Sequence, residues 1–271
     1  MIHSVKQYAF KHFKPYMADS GAKPDISIIL EGRDFIVRPG GRLLADGIFK
    51  WVKRYSEDED IVVYVYSSAN DNIIYLLQSS PAWNHITIQY LNNGASGENA
   101  VIGPVGDTVM RNAVLLHQGL MIHASVVEFE EKGIMFSAPC GTGKSTQASL
   151  WKSFRKAVIL NDDRPIVRLA EGIPFVFGTP WLGKISDCVN RSAPLKAIFV
   201  LEQSSDNSVK RLDVKDAIKG LLPRCFMPFY DRNLMNMAID VLEKIIEAVP
   251  VYLMKCRPDE ASVEMVYDLI K

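Results

Sequence analysis

The fold of this chain is decided by the stretch Ser137-Ala138-Pro139-Cys140-Gly141-Thr142-Gly143-Lys144-Ser145-Thr146. An apolar, strand-like segment precedes it at 133–137, and residues 146–154 can form a helix. The second half of the stretch matches the G-x-x-x-x-G-K-[ST] pattern, in which glycines let backbone N–H groups turn inward around phosphate oxygens. The sequence therefore predicts a nucleotide-binding phosphate loop at 139–146, between a strand and a helix.

Individual residues of this loop have expected roles. Lys144 is predicted to contact the β- and γ-phosphates, and the Ser145 hydroxyl to hold Mg²⁺. A helix that begins near Lys144 would direct its positive end at the same anion. Ala138 stands where the pattern has its first glycine, which is a small change, and Cys140 occupies a position that tolerates any small residue. The alternative is a glycine-rich turn without a ligand.

Composition excludes several classes of protein. The 271 residues include 31 basic and 31 acidic side chains, so no global field attracts the chain to nucleic acid or to a membrane surface. No apolar run approaches the roughly 18–20 residues that span a bilayer, and the first six residues lack the apolar core of a signal peptide. The four cysteines form no C-x-x-C pair, which favours free thiols and a cytoplasmic protein.

The pattern of apolar residues changes along the chain. The segment 92–106 contains four glycines and few large apolar residues, so we expect a boundary there, between a β-rich N-terminal lobe at 1–105 and an α/β domain with a mixed central sheet at 106–271. In the lobe we predict strands at 26–30, 35–38, 61–66, 73–77 and 85–91 and a helix at 43–55. In the second domain we predict strands at 121–129, 133–137, 157–160, 165–169, 175–178, 196–201 and 251–255, and helices at 107–118 (capped by Asp107), 146–154, 214–222, 233–249 and 260–270.

Two adjacent carboxylates follow the apolar strand predicted at 157–160. Asp162 and Asp163 come 18 and 19 residues after Lys144, about one helix and one strand later, at the strand end where α/β sheets place ligand-contacting groups. One carboxylate can bind Mg²⁺ and the other can orient and deprotonate an attacking hydroxyl. Neighbouring residues on a strand point to opposite sides, so we expect different roles, which the sequence does not assign. A surface Asp-Asp turn is the alternative.

His123 lies in the apolar strand predicted at 121–129, the second strand before the loop. Its pattern alone favours a core histidine, although its unperturbed pKa suits a group that tunes or relays a proton of a catalytic aspartate.

The chain resembles the HPr kinase/phosphorylase family over residues 107–271, especially the kinase-like relatives from peptide-modification and small-molecule gene clusters. The resemblance rests on the phosphate loop and on the following matches: Arg111-Asn112, Leu115-Leu116, Gly119, His123-Ala124-Ser125, Asn161-Asp162-Asp163, Gly178-Thr179-Pro180-Trp181, Gly183-Lys184 and Ala193-Pro194-Leu195-Lys196-Ala197. It implies an HPr-kinase-like core that binds ATP and Mg²⁺, with Asp162 and Asp163 as the acidic pair and His123 as the histidine before the loop.

The same resemblance implies a kinase that phosphorylates the hydroxyl of a peptide or protein serine, or of a serine-like or sugar small molecule. Lys184 and Arg191 are the candidate second phosphate contacts. HPr kinases are hexameric, so a homo-oligomer is one option, but the segments that assemble them are not identifiable in this sequence. Two departures argue against HPr as the substrate and against the phosphorolytic reaction: Pro139 replaces the acidic residue of the loop, and the family's C-terminal signature has no clear counterpart.

The sequence leaves two other functions open. One is a nucleotide-gated peptide-binding or regulatory protein without turnover, whose β-rich lobe accepts an extended peptide by strand addition. The other is a phosphoenolpyruvate carboxykinase-like lyase, which shares the Gly-Thr-Gly-Lys loop but belongs to far longer chains with a metal site and an arginine clamp. Replacing Asp162 by Asn separates a kinase from a binding protein, because only the kinase should lose its activity.

Overall fold

The structure, a computed structural model, describes residues 13–16, 24–53, 60–67, 72–183 and 188–271. The protein is mixed α/β, with two mixed sheets. It divides into two compact units, one of Met1–Leu116 with Pro228–Met235 and the other of His117–Met227 with Asn236–Lys271. Within the described ranges, no helix combines the length and the apolar character needed to cross a membrane.

The first unit contains a six-stranded sheet in the order β1-β6-β5-β4-β3-β2. Only β1 and β6 pair in parallel, and the other neighbours are antiparallel. One face buries an apolar cluster that includes Val52, Val62 and Leu76. The strands are β1 (Ser27–Arg33), β2 (Arg42–Asp46), β3 (Lys50–Lys53), β4 (Ile61–Tyr66), β5 (Ile73–Ser79) and β6 (His85–Leu91).

Two predictions for this unit were wrong. The predicted helix at 43–55 is instead the antiparallel pair of β2 and β3, with residues 54 and 55 outside the described ranges. β3 also pairs with β4, and this pairing buries Trp51 and Val52 to 3% exposure each. Tertiary burial and backbone pairing therefore overrode a helix-like spacing of apolar residues. Residues 35–38 form no strand.

The second unit contains a nine-stranded sheet, of which seven strands follow the order β10-β8-β9-β13-β12-β11-β7 and β15 and β14 branch from β13. β13 pairs in parallel with both β9 and β15. The strands are β7 (Gly119–Met121), β8 (Ala124–Phe129), β9 (Lys132–Ser137), β10 (Val158–Asn161), β11 (Ile166–Ala170), β12 (Ile173–Phe177), β13 (Ser192–Gln203), β14 (Ser208–Arg211) and β15 (Val251–Cys256).

The helices pack by their apolar stripes. In α3, Ala148 and Trp151 are fully buried and share a cluster with Val263 and Val266 of α6, the spacing expected for one face of a helix. The helices are α1 (Gly97–Ile102), α2 (Pro104–Ala113), α3 (Lys144–Arg155), α4 (Val214–Leu221), α5 (Arg232–Ala248) and α6 (Glu260–Ile270). The helix predicted at 107–118 starts earlier, so Asp107 lies in the first turn of α2 and not at its cap, and a 3-10 turn (Val114–His117) follows.

The strand predicted at 121–129 is broken into β7 and β8 at Ile122 and His123. β7 pairs with β11, whereas β8 pairs with β9 and β10. The backbone N–H of Ile122 donates to the Pro165 carbonyl at 3.1 Å. The composition of the apolar run predicts a single strand, because the change of pairing partner at this point leaves no mark in it.

Candidate active site

Three connecting segments meet at one edge of the nine-stranded sheet: the segment before β8, the segment after β9 and the segment after β10. β8 lies between β9 and β10 and is antiparallel to both, so β9 and β10 run in the same direction. Ala124, at the start of β8, lies opposite Ser137, at the end of β9, and Val126 lies opposite Asn161, at the end of β10. The segment 138–143, the acidic pair and His123 therefore lie at the same edge.

The segment 138–143 joins β9 to α3 in the predicted strand–loop–helix order. Gly141 and Gly143 have φ angles of 81° and 112°, and a Cβ at either position would meet no atom within 4 Å. Glycine is thus required here by the left-handed backbone, not by crowding.

Lys144 lies at the start of α3 and is only 6% exposed. Its Nζ donates to the carbonyl oxygens of Ala138 at 3.0 Å and Pro139 at 3.2 Å. Burial lowers the pKa of Lys144, and Arg224 acts in the same direction, while Cys140, Asp163 and Asp162 oppose the shift. Lys144 and both carboxylates of the acidic pair are therefore close enough to affect one another electrostatically.

Asp163 lies between two basic groups. Its Oδ1 is 3.3 Å from His123 Nε2, and its Oδ2 is 3.1 Å from Arg164 Nε. Burial alone would raise the pKa of Asp163, but the hydrogen bond from His123 and the positive charges of Arg164, His123 and Lys144 outweigh it and lower the pKa. The carboxylate is therefore ionised at neutral pH and fixed in orientation.

Asp162 has a different environment. It is 2% exposed, and its Oδ1 accepts a hydrogen bond from the Gly183 backbone N–H at 2.9 Å. Its main-chain carbonyl accepts one from Ser125 Oγ at 3.2 Å. The Asp162 carboxylate thus accepts from a backbone N–H, whereas the Asp163 carboxylate contacts His123 and Arg164. Both residues lie in the bend that follows β10, so the alternation of side chains along a strand does not apply to them.

Asn161 organises this edge, although the sequence alone assigns it no role. The side chain is completely buried, and its Oδ1 accepts from the backbone N–H groups of Asp163 at 2.8 Å and Arg164 at 2.7 Å. Its Nδ2 donates to the Thr179 carbonyl at 2.8 Å, to Thr179 Oγ1 at 3.1 Å and to the Trp181 carbonyl at 3.0 Å. Asn161 therefore ties the acidic pair to the segment 179–181. A polar residue at the end of an apolar strand was the available signal.

The other predicted site residues are placed as follows. Cys140 and Thr146 are exposed, and Ser145 is half-buried at the start of α3. Arg191 pairs with Glu128 Oε1 at 2.6 Å, and Glu128 lies opposite Val158, at the start of β10. Arg191 is thus at the end of the sheet away from the loop. Lys184 lies outside the described residues.

Two residues beside the loop offer oxygen atoms to a metal ion. Among the residues that the structure describes, no three or more His, Cys, Asp or Glu side chains cluster in a way that would hold one. The buried Asp162 carboxylate and the Ser145 hydroxyl are the groups that could hold Mg²⁺ together with substrate phosphates.

Fold and site define a mixed α/β protein with a glycine-containing strand–loop–helix beside an acidic pair. The chain belongs to the family of the SynChlorMet cassette protein ScmC, whose model matches residues 101–257. A search of curated proteins found no match. Among solved structures, the HPr(Ser) kinase/phosphatase from Coxiella burnetii aligns with 55% of this chain and 95% of its own, at 10% sequence identity and a TM-score of 0.34.

Proposed function

We propose that this protein is an ATP-dependent kinase that transfers the γ-phosphoryl group to a hydroxyl. The observation that carries the proposal is the Asp163 carboxylate, fixed between His123 and Arg164 and electrostatically coupled to Lys144 in the glycine-containing loop. Phosphoryl transfer needs an oriented base, a cation for the phosphates and a loop that binds them. These groups meet at one edge of one sheet.

Asp163 is the proposed base. It accepts the proton of the acceptor hydroxyl while that oxygen forms a bond to the γ-phosphorus and the bond from the γ-phosphorus to the bridging oxygen of ADP breaks. The lowered pKa keeps Asp163 ionised, although it also makes the carboxylate a weak base. A weak base suffices when the transition state is loose and proton transfer is late. His123 and Arg164 act as positioning residues for the carboxylate.

Asp162 and Ser145 are the proposed ligands of Mg²⁺. The ion would offset negative charge on the β- and γ-phosphates. Lys144 donates to the same phosphates in this proposal, which requires its Nζ to leave the carbonyl oxygens of Ala138 and Pro139. The loop from Pro139 to Thr146 supplies the backbone N–H groups around them.

The proposed acceptor is a serine hydroxyl of a peptide or protein, or the hydroxyl of a serine-like or sugar small molecule. We propose that the protein works in the cytoplasm without nucleic acid, and that copies of the chain associate. We further propose that residues 1–105 form the β-rich lobe and residues 106–271 the catalytic domain.

The test is transfer from ATP with Mg²⁺ to pooled hydroxyl acceptors, read as a mass increase of ~80 Da per phosphoryl group. Asp163→Asn should lower the transfer rate about 10²- to 10⁴-fold with little change in ATP affinity, because only the base is lost. Asp162→Asn should abolish turnover and weaken the response to Mg²⁺. Asp240→Asn, an exposed aspartate of α5, is the matched control and should behave like the wild type.

Full transfer by Asp163→Asn would contradict the assignment of the base. Tight binding of ATP without transfer to any acceptor would instead favour the nucleotide-gated binding protein.

A further inference from the structure

A short segment lies beside the break between β7 and β8. Ile122 and Cys225 form an isolated antiparallel bridge. The His123 backbone N–H donates to the Arg224 carbonyl at 2.8 Å, and the Phe226 backbone N–H donates to the Met121 carbonyl at 3.0 Å. Residues 224–226 thus run antiparallel to residues 121–123, next to the acidic pair.

This pairing fixes the side on which the Arg224 side chain lies. Ile122 is completely buried, and the Cys225 thiol donates to the Leu221 carbonyl at 3.3 Å, so the bridged pair faces the interior. Side chains alternate along an extended chain, and residues opposite each other share a face, with Cβ atoms about 4.5–5.5 Å apart. Arg224 therefore lies on the same face as His123, whose imidazole contacts Asp163.

Arg224 has no anionic partner in the part of the chain that the structure describes. The Asp163 carboxylate is bonded to His123 and Arg164, and no ion pair of Arg224 occurs among the described residues. The side chain is half-buried. It is also close enough to Lys144 to lower the pKa of that ammonium.

Two cations held near each other disfavour each other's charged form, and an anion bound beside both offsets this repulsion. A half-buried guanidinium without a carboxylate is suited to an oxyanion, because its planar fork donates two parallel hydrogen bonds. Arg191 is committed to Glu128 at the other end of the sheet.

We propose that Arg224 binds an oxyanion at the face it shares with His123: the transferred phosphoryl group, or a carboxylate of the acceptor beside its hydroxyl. The proposal rests on the kinase function proposed above and assigns to Arg224 a contact with the reacting groups or with the acceptor. Both sources of the anion have the same chemistry, and binding measurements separate them.

The experiment compares wild type with Arg224→Gln, Arg224→Lys and the control Arg211→Gln, an exposed arginine of β14. The contacts of residues 224–226 with residues 121–123 are main-chain hydrogen bonds, so the fold should persist, which thermal unfolding checks. For the phosphoryl source, calorimetry measures the affinity for Mg²⁺·ADP with and without aluminium fluoride, which mimics the group in transfer. For the carboxylate source, calorimetry compares the affinity for L-serine with the affinity for ethanolamine, which lacks the carboxylate. Both are measured in the presence of Mg²⁺ and a non-hydrolysable ATP analogue.

If Arg224 contacts the phosphoryl group, the gain in ADP affinity that aluminium fluoride gives should be at least ~10-fold smaller in Arg224→Gln than in the wild type. Turnover should fall about 10²- to 10³-fold, while the affinity for ADP alone stays unchanged. If it contacts a carboxylate, the loss should appear with L-serine only, and Arg224→Lys should restore part of it.

The proposal would be overturned if Arg224→Gln bound both probes as tightly as the wild type does. It would also be overturned if the wild type bound neither probe. The proposed function can fail independently of the anion site. If the wild type transfers no phosphoryl group, but its affinity for ADP with aluminium fluoride depends on Arg224, the anion site is supported and the kinase activity is contradicted.

Discussion

Replacing Asn161 by Ala should destabilise the second unit and disorganise the acidic pair. The side chain is completely buried and serves four backbone groups: it accepts from two N–H groups, at Asp163 and Arg164, and donates to the carbonyls of Thr179 and Trp181. An alanine reaches none of them. The buried carbonyl groups of Thr179 and Trp181 and the half-buried N–H groups of Asp163 and Arg164 would then lose their partner.

The magnitude follows from that count. A typical intramolecular hydrogen bond contributes about 1 kcal/mol net, and a buried group left without a partner costs about 1–3 kcal/mol. Four groups give a loss of about 4 kcal/mol, a large part of the ~5–15 kcal/mol that stabilises a typical domain. Asn161→Asp should cost at least as much, because it keeps the acceptor but turns a carboxylate oxygen toward the carbonyls of Thr179 and Trp181.

The assay is urea unfolding followed by tryptophan fluorescence, since Trp151 is fully buried in the same unit as Asn161. Two units need not unfold together, so the slope of each transition must be compared as well as its midpoint. The control is Asn236→Ala, the same substitution at an exposed position of α5, which should change stability by less than ~0.7 kcal/mol. A loss within ~1 kcal/mol for Asn161→Ala, with phosphoryl transfer intact, would refute the reasoning.

Three further outcomes are expected. Burial raises the pKa of Cys225 to about 12, so iodoacetamide at pH 8 should alkylate the exposed Cys140 well before Cys225, and equal rates by peptide mass mapping would contradict this. The pKa of Asp163 is held below its usual value of 3.8. The ionised carboxylate therefore adds stability above pH 3.8, and this contribution is lost as the pH falls through the folded-state pKa. The stability difference between wild type and Asp163→Asn, measured in denaturant titrations, should shrink below about pH 4. Tyr230→Phe should cost about 1–2 kcal/mol in urea unfolding, because the Tyr230 hydroxyl donates to the buried Asn112 Oδ1 at 2.6 Å, and an unchanged midpoint would show that this bond contributes nothing.

The strand–loop–helix at 133–155 was predictable because its signals are local. Glycines at Gly141 and Gly143 allow left-handed backbone, and an apolar strand and an amphipathic helix flank them. The acidic pair was found for a similar reason, since it directly follows a buried strand. The predicted helix at 43–55 failed because the pairing of β3 with β4, set elsewhere in the chain, decided the conformation of that segment.

Other features of the site could not be predicted from the sequence. Arg224 reaches the neighbourhood of His123 through two main-chain hydrogen bonds between segments about one hundred residues apart, and such bonds carry no mark of residue type. Arg191 looked as suitable as any cation, but it lies at the opposite end of β10 and is paired with Glu128.

The sequence by itself determined the phosphate-loop pattern, the candidate acidic pair and most of the helices and strands of the second unit, because glycine conformation and apolar periodicity act over a few residues. Only the tertiary structure decided that β8 lies between β9 and β10, which places His123 against Asp163. It also decided which carboxylate is held by cations and which by the Gly183 backbone N–H. Strand order and register bring together residues far apart in the chain, and their energy comes from burial and pairing that no local segment possesses.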